Sequence, residues 1–460
     1  MRRPNPILAL LAMLACVVSS QPSSFDLPAA APERQVRWPA RNIQIALSTS
    51  LTSPSPAIKP ETDVVGAVER ALASWSRAAN INFVEVSSKA QSVSPTGRGD
   101  GVNLITIAGT TENLAMFGEG NTTARTRVFY DPNTGEITEA DIVINPYPYS
   151  ETGSLLQFST DAAPGTYDLE STLAHEIGHL LGLNHSQVIG ATMQASQALN
   201  GTYGQPATTE RTLSDADQSA VRSLYGPKEK TEKAGSIEGR ILSSSDGNLI
   251  AANAAHVWIE DVVTGKVMAS SLTTAGGRYS INNVAPGNYR AMVEYLDGPI
   301  TEAEALSAAS DRKSGGRQRA FRSVEISGRL RVVADKPTAL NYVLVPPQNS
   351  APALNPRFIG MNGELSTAPV PVSAGKRITL YVGGEGVDQI PGSGLVVSST
   401  FVRVDPASLA LEQFHTTTPV ISFEVTIPPN TPPGDYTIRL QSNSGELAYL
   451  VGALKINPAQ

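Results

Sequence analysis

Three of the five histidines of this 460-residue chain lie within one short segment, HEIGHLLGLNH at residues 175–185. His175 and His179 are four residues apart, so on a helix both imidazoles project from one face, at a spacing that suits two ligands of one zinc ion. Gly182 tolerates the left-handed conformation that ends a helix and turns the chain back, which lets His185 act as a third ligand. A fourth coordination position stays open for water, as in catalytic rather than structural zinc sites.

Glu176, next to the first of these histidines, is the candidate catalytic residue. Its helical position allows the carboxylate to contact a zinc-bound water, whose pKa the metal lowers towards neutrality. The carboxylate could take a proton from that water as it attacks a carbonyl carbon, and then pass the proton to a leaving amine. The pattern therefore predicts peptide-bond hydrolysis with one zinc ion. The alternative is that these are ordinary polar residues on a helix surface, because short motifs also match by accident.

The segment matches the metzincin motif HExxHxxGxxH in full, and its surroundings resemble the matrixin (matrix metalloprotease-like) branch, in a secreted, bacterial-type form. The similar features are Ser186, the helix entry YDL at 167–169, the segment 213–226 and the helix-then-strand segment ALASWSRAANINFVEV at 71–86. The resemblance covers about residues 34–226 and implies a zinc metalloendopeptidase. It also implies that Met193 forms a tight turn beneath the zinc site, although a plain core methionine is compatible with the same packing.

Departures from the family pattern limit what the resemblance implies. Animal matrixins cap their zinc with a propeptide cysteine, whereas the only cysteine here is Cys16, so no cysteine switch is expected. His256 and His415 fall in later segments, where we expect surface or strand residues rather than ligands of a second zinc. No loop has a recognisable calcium spacing, and Ca²⁺ binding stays open. Residues 194–197 (QASQ) stand where matrixins carry Pro-x-Tyr, so cleavage preference cannot be inferred.

An α+β domain with a mixed sheet and three helices must position this segment. Strands are predicted at 42–47, 81–86, 102–107, 125–130 and 140–145, and helices at 61–79, 168–181 and 214–225. The last helix begins with a capping box of Ser214 and Asp217 and stops at Gly226. The strand that carries Asp141 resembles one that borders the matrixin cleft. It is either an edge strand that pairs with an extended substrate or a core strand.

Two all-β sandwich domains are predicted to follow this metzincin domain. The predicted boundaries are 34–227 for the protease domain, 228–235 for a charged linker, 236–345 for the first sandwich, 346–352 for a Pro-rich linker and 353–460 for the second sandwich. The first sandwich resembles the carboxypeptidase regulatory-like family through GGRYSI at 276–281 and APGNYR at 285–290. The second is predicted to be immunoglobulin-like. A polar insertion at 301–318 is predicted to be a mobile loop.

Charge and the N-terminal segment bear on partners and location. A formal net charge of -7, from 35 Lys and Arg against 42 Asp and Glu, argues against a nucleic-acid partner. Residues 1–20 are typical of a secretory signal peptide, and their apolar run is too short for a bilayer core, which needs about 20 residues. No transmembrane span is expected. The alternative is an imperfect lipobox at Met13 to Cys16, which would anchor the mature chain to a membrane as a lipoprotein through Cys16.

The sequence therefore predicts a secreted zinc endopeptidase that acts on protein or peptide substrates, with β domains that bind a surface, a polymer or a partner. One alternative is a cell-surface binding or adhesion protein with a vestigial protease domain. Another keeps the protease but assigns it the processing of particular exported proteins, with the β domains as removable folding aids. Vestigial decay is disfavoured because all three histidines, Glu176, Gly182 and Met193 are present.

Overall fold

The computed structural model describes residues 35–95, 99–117, 122–150, 152–229, 233–245, 248–301, 321–344, 353–414 and 416–457. The predicted signal peptide with Cys16, most of the insertion at 301–318, His415, part of the predicted linker 228–235 and all of the predicted linker 346–352 lie outside these residues. We refer to residues 35–227 as the N-terminal unit, residues 235–344 as the middle β unit and residues 355–457 as the C-terminal β unit.

The elements of the N-terminal unit follow the predicted order. The helices are α1 (Val64–Ala78), α2 (Thr111–Leu114), α3 (Leu169–Leu180) and α4 (Asp215–Tyr225). The strands are β1 (Asn42–Ser48), β2 (Asn82–Ser88), β3 (Leu104–Thr106), β4 (Ala124–Tyr130), β5 (Ile137–Ile144), β6 (Phe158–Ser159) and β7 (Tyr167–Asp168). Short 3-10 turns lie at Thr49–Thr52, Thr202–Gly204 and Thr209–Arg211. The boundaries of the long helices agree with the prediction to within a few residues.

A five-stranded sheet in the order β2-β1-β3-β5-β4 forms the frame of this unit. Its strands are parallel except for β4, which runs antiparallel to β5. The helices α1 and α3 contribute to one apolar core with the sheet, in which Trp75 of α1 is fully buried. The indole nitrogen of Trp75 donates a hydrogen bond of 2.8 Å to the carbonyl of Ala174, which fixes α1 against the middle of α3.

The position of Asp141 decides between the two interpretations of its strand. Asp141 lies on β5, which has β3 on one side and β4 on the other. Its buried carboxylate accepts hydrogen bonds from the backbone N–H groups of Ser94 and Leu104. The edge-strand interpretation is therefore wrong for this strand. The two edge strands of this sheet are β2 and β4, and β4 is the edge strand next to β5.

The rest of the described chain is almost entirely β structure. The middle β unit contains β8 (Gly235–Ser245), β9 (Asn248–Ala251), β10 (His256–Asp261), β11 (Val267–Leu272), β12 (Arg278–Val284), β13 (Gly287–Glu294), β14 (Val324–Val332), β15 (Pro337–Ala339) and β16 (Tyr342–Leu344). One sheet has the order β11-β10-β13-β14 and the other has the order β12-β8-β15, with β9 and β16 also paired to β8. The two sheets bury a shared apolar core. His256 is a buried residue of β10 that pairs with Glu294 and stacks on Trp258.

The C-terminal β unit also consists of two packed sheets, but its strands are connected in a different order. Its strands are β17 (Asn355–Met361), β18 (Glu364–Ser366), β19 (Val370–Ser373), β20 (Lys376–Glu385), β21 (Leu395–Val397), β22 (Arg403–Glu412), β23 (Val420–Ile427), β24 (Gly434–Gln441) and β25 (Leu447–Asn457). Two 3-10 turns lie at Val387–Gln389 and Gly392–Gly394. The sheets have the orders β18-β17-β20-β23-β22 and β19-β25-β24-β21, and a second large core lies between them.

The three units pack against one another around a common apolar cluster. The cluster joins Val188, Ala191 and Ala216 of the N-terminal unit to side chains of both β units, namely Trp258, Val267, Met292, Tyr449 and Val451. The residues around Val188 and Ala191 follow the third histidine directly, so the β units contact the segment that carries the site. Within the described chain, no helix has the length and apolarity needed to cross a bilayer.

Candidate active site

Helix α3 carries the first two histidines and is fixed at both ends. The Asp168 side chain accepts a hydrogen bond from the Ser171 N–H and caps the N-terminus. The carbonyls of Leu180 and Leu181, at the other end, accept hydrogen bonds from the Trp38 indole and the Tyr225 hydroxyl. A buried helix held in this way presents its side chains in a defined orientation.

Gly182 reverses the chain after the helix, as predicted. It has a φ of 91°, and the N–H groups of Leu183 and Gly182 donate to the carbonyls of Gly178 and His179. This pair of bonds is the Schellman pattern that ends a helix. A side chain at position 182 would also meet the carbonyl oxygen of Val36 at 2.2 Å. Glycine is therefore required here both by conformation and by space.

The turn brings the three predicted ligands together. One ring nitrogen from each of His175, His179 and His185 lies within 4.8 Å of the other two. The Nδ1 atoms of His175 and His179 each lie 2.8 Å from a backbone carbonyl, those of Thr192 and Leu183. Because a carbonyl can only accept, each Nδ1 carries a proton, and in a neutral ring the lone pair is then on Nε2.

This donor set fits a bound zinc ion. The Nε2 atoms of His175 and His179 face each other at 3.1 Å, and two lone pairs at that distance repel unless a cation lies beside them. Burial lowers the pKa of His179 well below its ordinary value, and the neighbouring His175 and His185 lower it further, so this imidazole is neutral. Neutral imidazoles with their Nδ1–H groups held by carbonyls are typical zinc ligands.

Glu176 lies in the same cleft as the histidines, with its side chain almost fully buried. Its Oε2 accepts a hydrogen bond from the hydroxyl of Thr126 on the edge strand β4. Burial raises the pKa of Glu176, against the opposing effects of His175 and the Thr126 hydrogen bond. A carboxylate in such surroundings is a stronger base than one in water.

Met193 lies directly beneath helix α3. It is 2% exposed, and a side-chain carbon added to Gly178 would come within 2.1 Å of its sulfur, so helix and methionine are in close contact. The turn that carries Met193 is held by Asp217, whose carboxylate accepts the N–H groups of Thr192 and Met193. The Ser186 N–H donates to the Met193 carbonyl and ties the turn to the residue after His185.

Two of these positioning residues were missed by the sequence analysis. Thr126 has no local signal, because its partner Glu176 is 50 residues away. Asp217 was identified only as part of a capping box, which the structure contains, but the same carboxylate also holds the turn of Met193. Asp217 is only 1% exposed, and a carboxylate that is this buried needs more hydrogen-bond donors than one helix cap supplies. A search for further donors near Asp217 could therefore have found this contact.

Comparison with known proteins identifies the family of this part of the chain. Residues 37–226 match the sequence profile of the matrixins. The chain is similar to metalloendoproteinase 1 of Glycine max, with 26% identity over 195 residues that make up 41% of this chain and 53% of the relative. It is also similar to metalloendoproteinase 1-MMP of Arabidopsis thaliana, with 38% identity over 94 residues, or 18% of this chain and 23% of that one. This chain therefore spans about half the length of the first relative and a quarter of the second.

Solved structures resemble the chain only weakly. The minor pilin of Streptococcus agalactiae is 9% identical, with 26% of this chain and 49% of the pilin covered and a TM-score of 0.17. A score this low does not assign a fold to the β units. The sequence profile thus concerns the N-terminal unit, whose residues 37–226 form a matrixin domain.

Proposed function

We propose that this protein is a zinc-dependent endopeptidase, with His175, His179 and His185 as zinc ligands and Glu176 as the catalytic residue. The observation that carries the proposal is the arrangement of the histidines: the Nε2 atoms of His175 and His179 face each other at 3.1 Å while backbone carbonyls hold both Nδ1–H groups. The matrixin match of residues 37–226 supports the same assignment. Gly182 and Met193 act as structural supports of this centre.

The chain's own groups provide the proton transfer in the proposed reaction. Zinc, when bound, makes a coordinated water more acidic and polarises the scissile carbonyl. Because the Thr126 hydroxyl engages Oε2 of Glu176, we assign Oε1 to take the proton from the attacking water. Glu176 then donates this proton to the nitrogen of the leaving amine as the peptide bond breaks. The raised pKa of the buried carboxylate suits both steps.

The edge strand β4 supports a polypeptide as the substrate. Residues 122–128 line the cleft beside the histidines, and within the described part of the chain β4 pairs with β5 alone. An extended peptide can add to such an edge as a further strand through backbone hydrogen bonds.

We also propose that the chain is exported, because residues 1–20 are typical of a signal peptide, and that the β units have a binding role. Anchoring through Cys16 and binding of Ca²⁺ stay open.

The test pairs zinc content with cleavage of a mixed peptide library, for the wild type and for Glu176→Ala. We expect about one zinc per chain in both proteins, with a rate in the variant that is lower by roughly 100-fold to 10,000-fold, the usual contribution of a general base. Loss of zinc in Glu176→Ala would instead assign the carboxylate to the ligand set. A wild-type protein that binds no zinc would favour the alternative of a binding protein with a vestigial protease domain.

A further inference from the structure

The chain between Met193 and helix α4 forms one wall of the cleft that contains the three histidines. We refer to residues 194–212 as the wall segment. The residues that line the cleft lie near its two ends and are Gln194, Ala195, Ser196, Gln197 and Glu210. Between these ends the wall segment leaves the cleft and returns to it, so the path of its middle part constrains both ends.

The middle of the wall segment is inserted into the C-terminal β unit. Tyr203 is 1% exposed and belongs to the apolar core between the two sheets of that unit. Its hydroxyl oxygen lies 3.0 Å from the carbonyl oxygen of Ile359 and 2.9 Å from that of Ala368. A side chain of the N-terminal unit is thus held in the core of another unit.

The backbone of Tyr203 is bound by the same β unit. Its N–H donates to Oε2 of Glu364 at 2.7 Å, and the side-chain amide of Asn362 donates to its carbonyl at 2.7 Å. Tyr203 has a φ of 58°, in the left-handed region, which is unfavourable for a residue with a Cβ atom. Such a conformation persists only where the surrounding structure fixes it, and here the C-terminal β unit supplies these contacts.

Hydrogen bonds of the wall segment connect Tyr203 to the cleft. The Ala207 N–H donates to Oδ1 of Asn200 at 2.8 Å, so the outgoing and returning parts of the segment are joined beside Tyr203. Gln197, which lines the cleft, donates through its side chain to the carbonyl of Asp168 at 3.0 Å, at the start of α3. The wall segment is therefore fixed by α3 at the cleft and by the C-terminal β unit at its far end.

We propose that Tyr203 is a positioning residue through which the C-terminal β unit holds the wall of the substrate cleft and thereby influences which polypeptides bind there. Tyr203 does not itself line the cleft, so it acts through residues 194–197. This inference rests on the proposed endopeptidase function. It gives the C-terminal β unit a part in substrate binding.

The experiment uses the full zinc-loaded chain and one short fluorogenic peptide, selected from a library that the wild type cleaves. Tyr203→Phe keeps the ring but loses the hydroxyl, and we expect KM to rise by about 2-fold to 10-fold, the usual contribution of one hydrogen bond. Zinc content and kcat should stay near the wild-type values, because the hydrogen bonds of Tyr203 are made with the C-terminal β unit and not with the histidines. Tyr203→Gly removes the whole side chain but tolerates the left-handed backbone, and should raise KM further.

Direct binding measures the same effect without turnover. A fluorescently labelled form of the peptide is titrated with Glu176→Ala and with Glu176→Ala combined with Tyr203→Phe, and its Kd should rise by the same factor as KM. Glu364→Gln weakens the contact from the side of the C-terminal β unit, because a neutral amide oxygen is a poorer acceptor for the Tyr203 N–H than a carboxylate. This variant should raise KM in the same direction.

Tyr436→Phe is the matched control. Tyr436 is fully buried in the same core, and its hydroxyl donates to the carbonyl of Pro432 within the C-terminal β unit. The variant should lose a similar hydrogen bond and keep the wild-type KM. Because neither KM nor Kd depends on the fraction of molecules that is folded, a general loss of stability does not imitate the expected result.

The outcomes separate the inference from the function on which it rests. Wild-type KM and Kd in the Tyr203 variants, or an equal rise of KM in Tyr436→Phe, would overturn the positioning role alone. A fall in kcat with loss of zinc and an unchanged KM would also overturn it, because Tyr203 would then support the metal ligands rather than the wall. Failure of the zinc-loaded wild type to cleave any peptide would overturn the endopeptidase and the positioning role together.

Discussion

A single hydroxyl orients the candidate catalytic carboxylate. Thr126 donates to Oε2 of Glu176 and comes from the edge strand β4, whereas Glu176 comes from helix α3. The hydrogen bond therefore couples the position of the carboxylate to the strand on which we propose that the substrate lies. The same hydroxyl lies 3.1 Å from the backbone carbonyl oxygen of Glu176, so it also connects β4 to the backbone of α3.

Thr126→Val should lower kcat by about tenfold and leave zinc content unchanged. The valine keeps the shape of the side chain but loses a hydrogen bond to a charged group, a loss of about 1.5 to 3 kcal/mol where the group is held in position by that bond. Steady-state kinetics with zinc analysis would measure both quantities. Thr126→Ser keeps the hydroxyl and is the control; equal kcat for the valine variant and the wild type would mean that α3 alone positions Glu176.

At the scale of elements, helix α4 supports the proposed zinc site through its N-terminus. Asp217 caps the helix by accepting the Ser214 N–H, and it also accepts the N–H groups of Thr192 and Met193. The carbonyl of Thr192 in turn lies 2.8 Å from Nδ1 of His175. One carboxylate thus connects the start of a helix, the turn of Met193 and the orientation of His175, a proposed zinc ligand.

Asp217→Ala should therefore lower the free energy of unfolding more than Ser214→Ala does, and only Asp217→Ala should weaken zinc binding. Loss of the serine cap costs about 1 kcal/mol, whereas loss of the carboxylate leaves three buried N–H groups without their acceptor, at roughly 1 to 3 kcal/mol each. Urea unfolding and competition with a chelator would measure the two effects. Similar zinc affinity in both variants would show that the turn keeps its shape without Asp217.

At the scale of the whole molecule, the C-terminal β unit contacts the segment between the third histidine and Met193. The Ile189 N–H donates to the carbonyl of Val451, and the Lys455 ammonium donates to the carbonyl of Gly190 at 2.7 Å. A side chain at Gly190 would meet Asp435 at 2.4 Å. Contacts this close favour a β unit that supports the site over one that is a removable folding aid.

The same contact predicts a pH dependence of stability. Burial raises the pKa of Asp435 to about 6, with further increases from Asp217 and Asp215, and the nearby Lys455 lowers it without cancelling the effect. Between the ordinary value of 3.8 and about 6, the folded state holds a proton that the unfolded state has released. The free energy of unfolding therefore falls as the pH rises through this window, by about 3 kcal/mol from this group, and is constant above it.

Asp435→Asn should remove this fall in the free energy of unfolding with rising pH. We expect the difference in unfolding free energy between variant and wild type to shift in favour of the variant by about 3 kcal/mol from pH 4 to pH 7, because the amide does not titrate. Urea unfolding at several pH values, in one zinc-containing buffer, measures it. Asp388→Asn changes an exposed carboxylate of the same unit and is the control. Parallel curves for the wild type and Asp435→Asn would contradict the raised pKa.

The sequence by itself determined what depends on neighbours along the chain. The spacing of His175 and His179, the reversal at Gly182 and the capping box of Ser214 and Asp217 are local, because a helix brings residues three or four apart onto one face and glycine alone ends it cheaply in the left-handed region. Each of these features appears in the structure as predicted. The alternation of apolar and polar residues along β1 and the apolar face of α1 also depend only on residues that are close together in the chain.

Only the tertiary structure decided which distant residues complete the site. Thr126 and Glu176 are 50 residues apart, Asp217 and Met193 are 24 apart, and Lys455 and Gly190 are 265 apart. The order of strands placed Asp141 inside the sheet and left β4 at its edge. Packing of α4 against β11 and β12 brought residues of the middle β unit into the lining of the cleft. Such pairings follow from how whole faces bury their apolar surface against one another, and no local spacing along the chain encodes them.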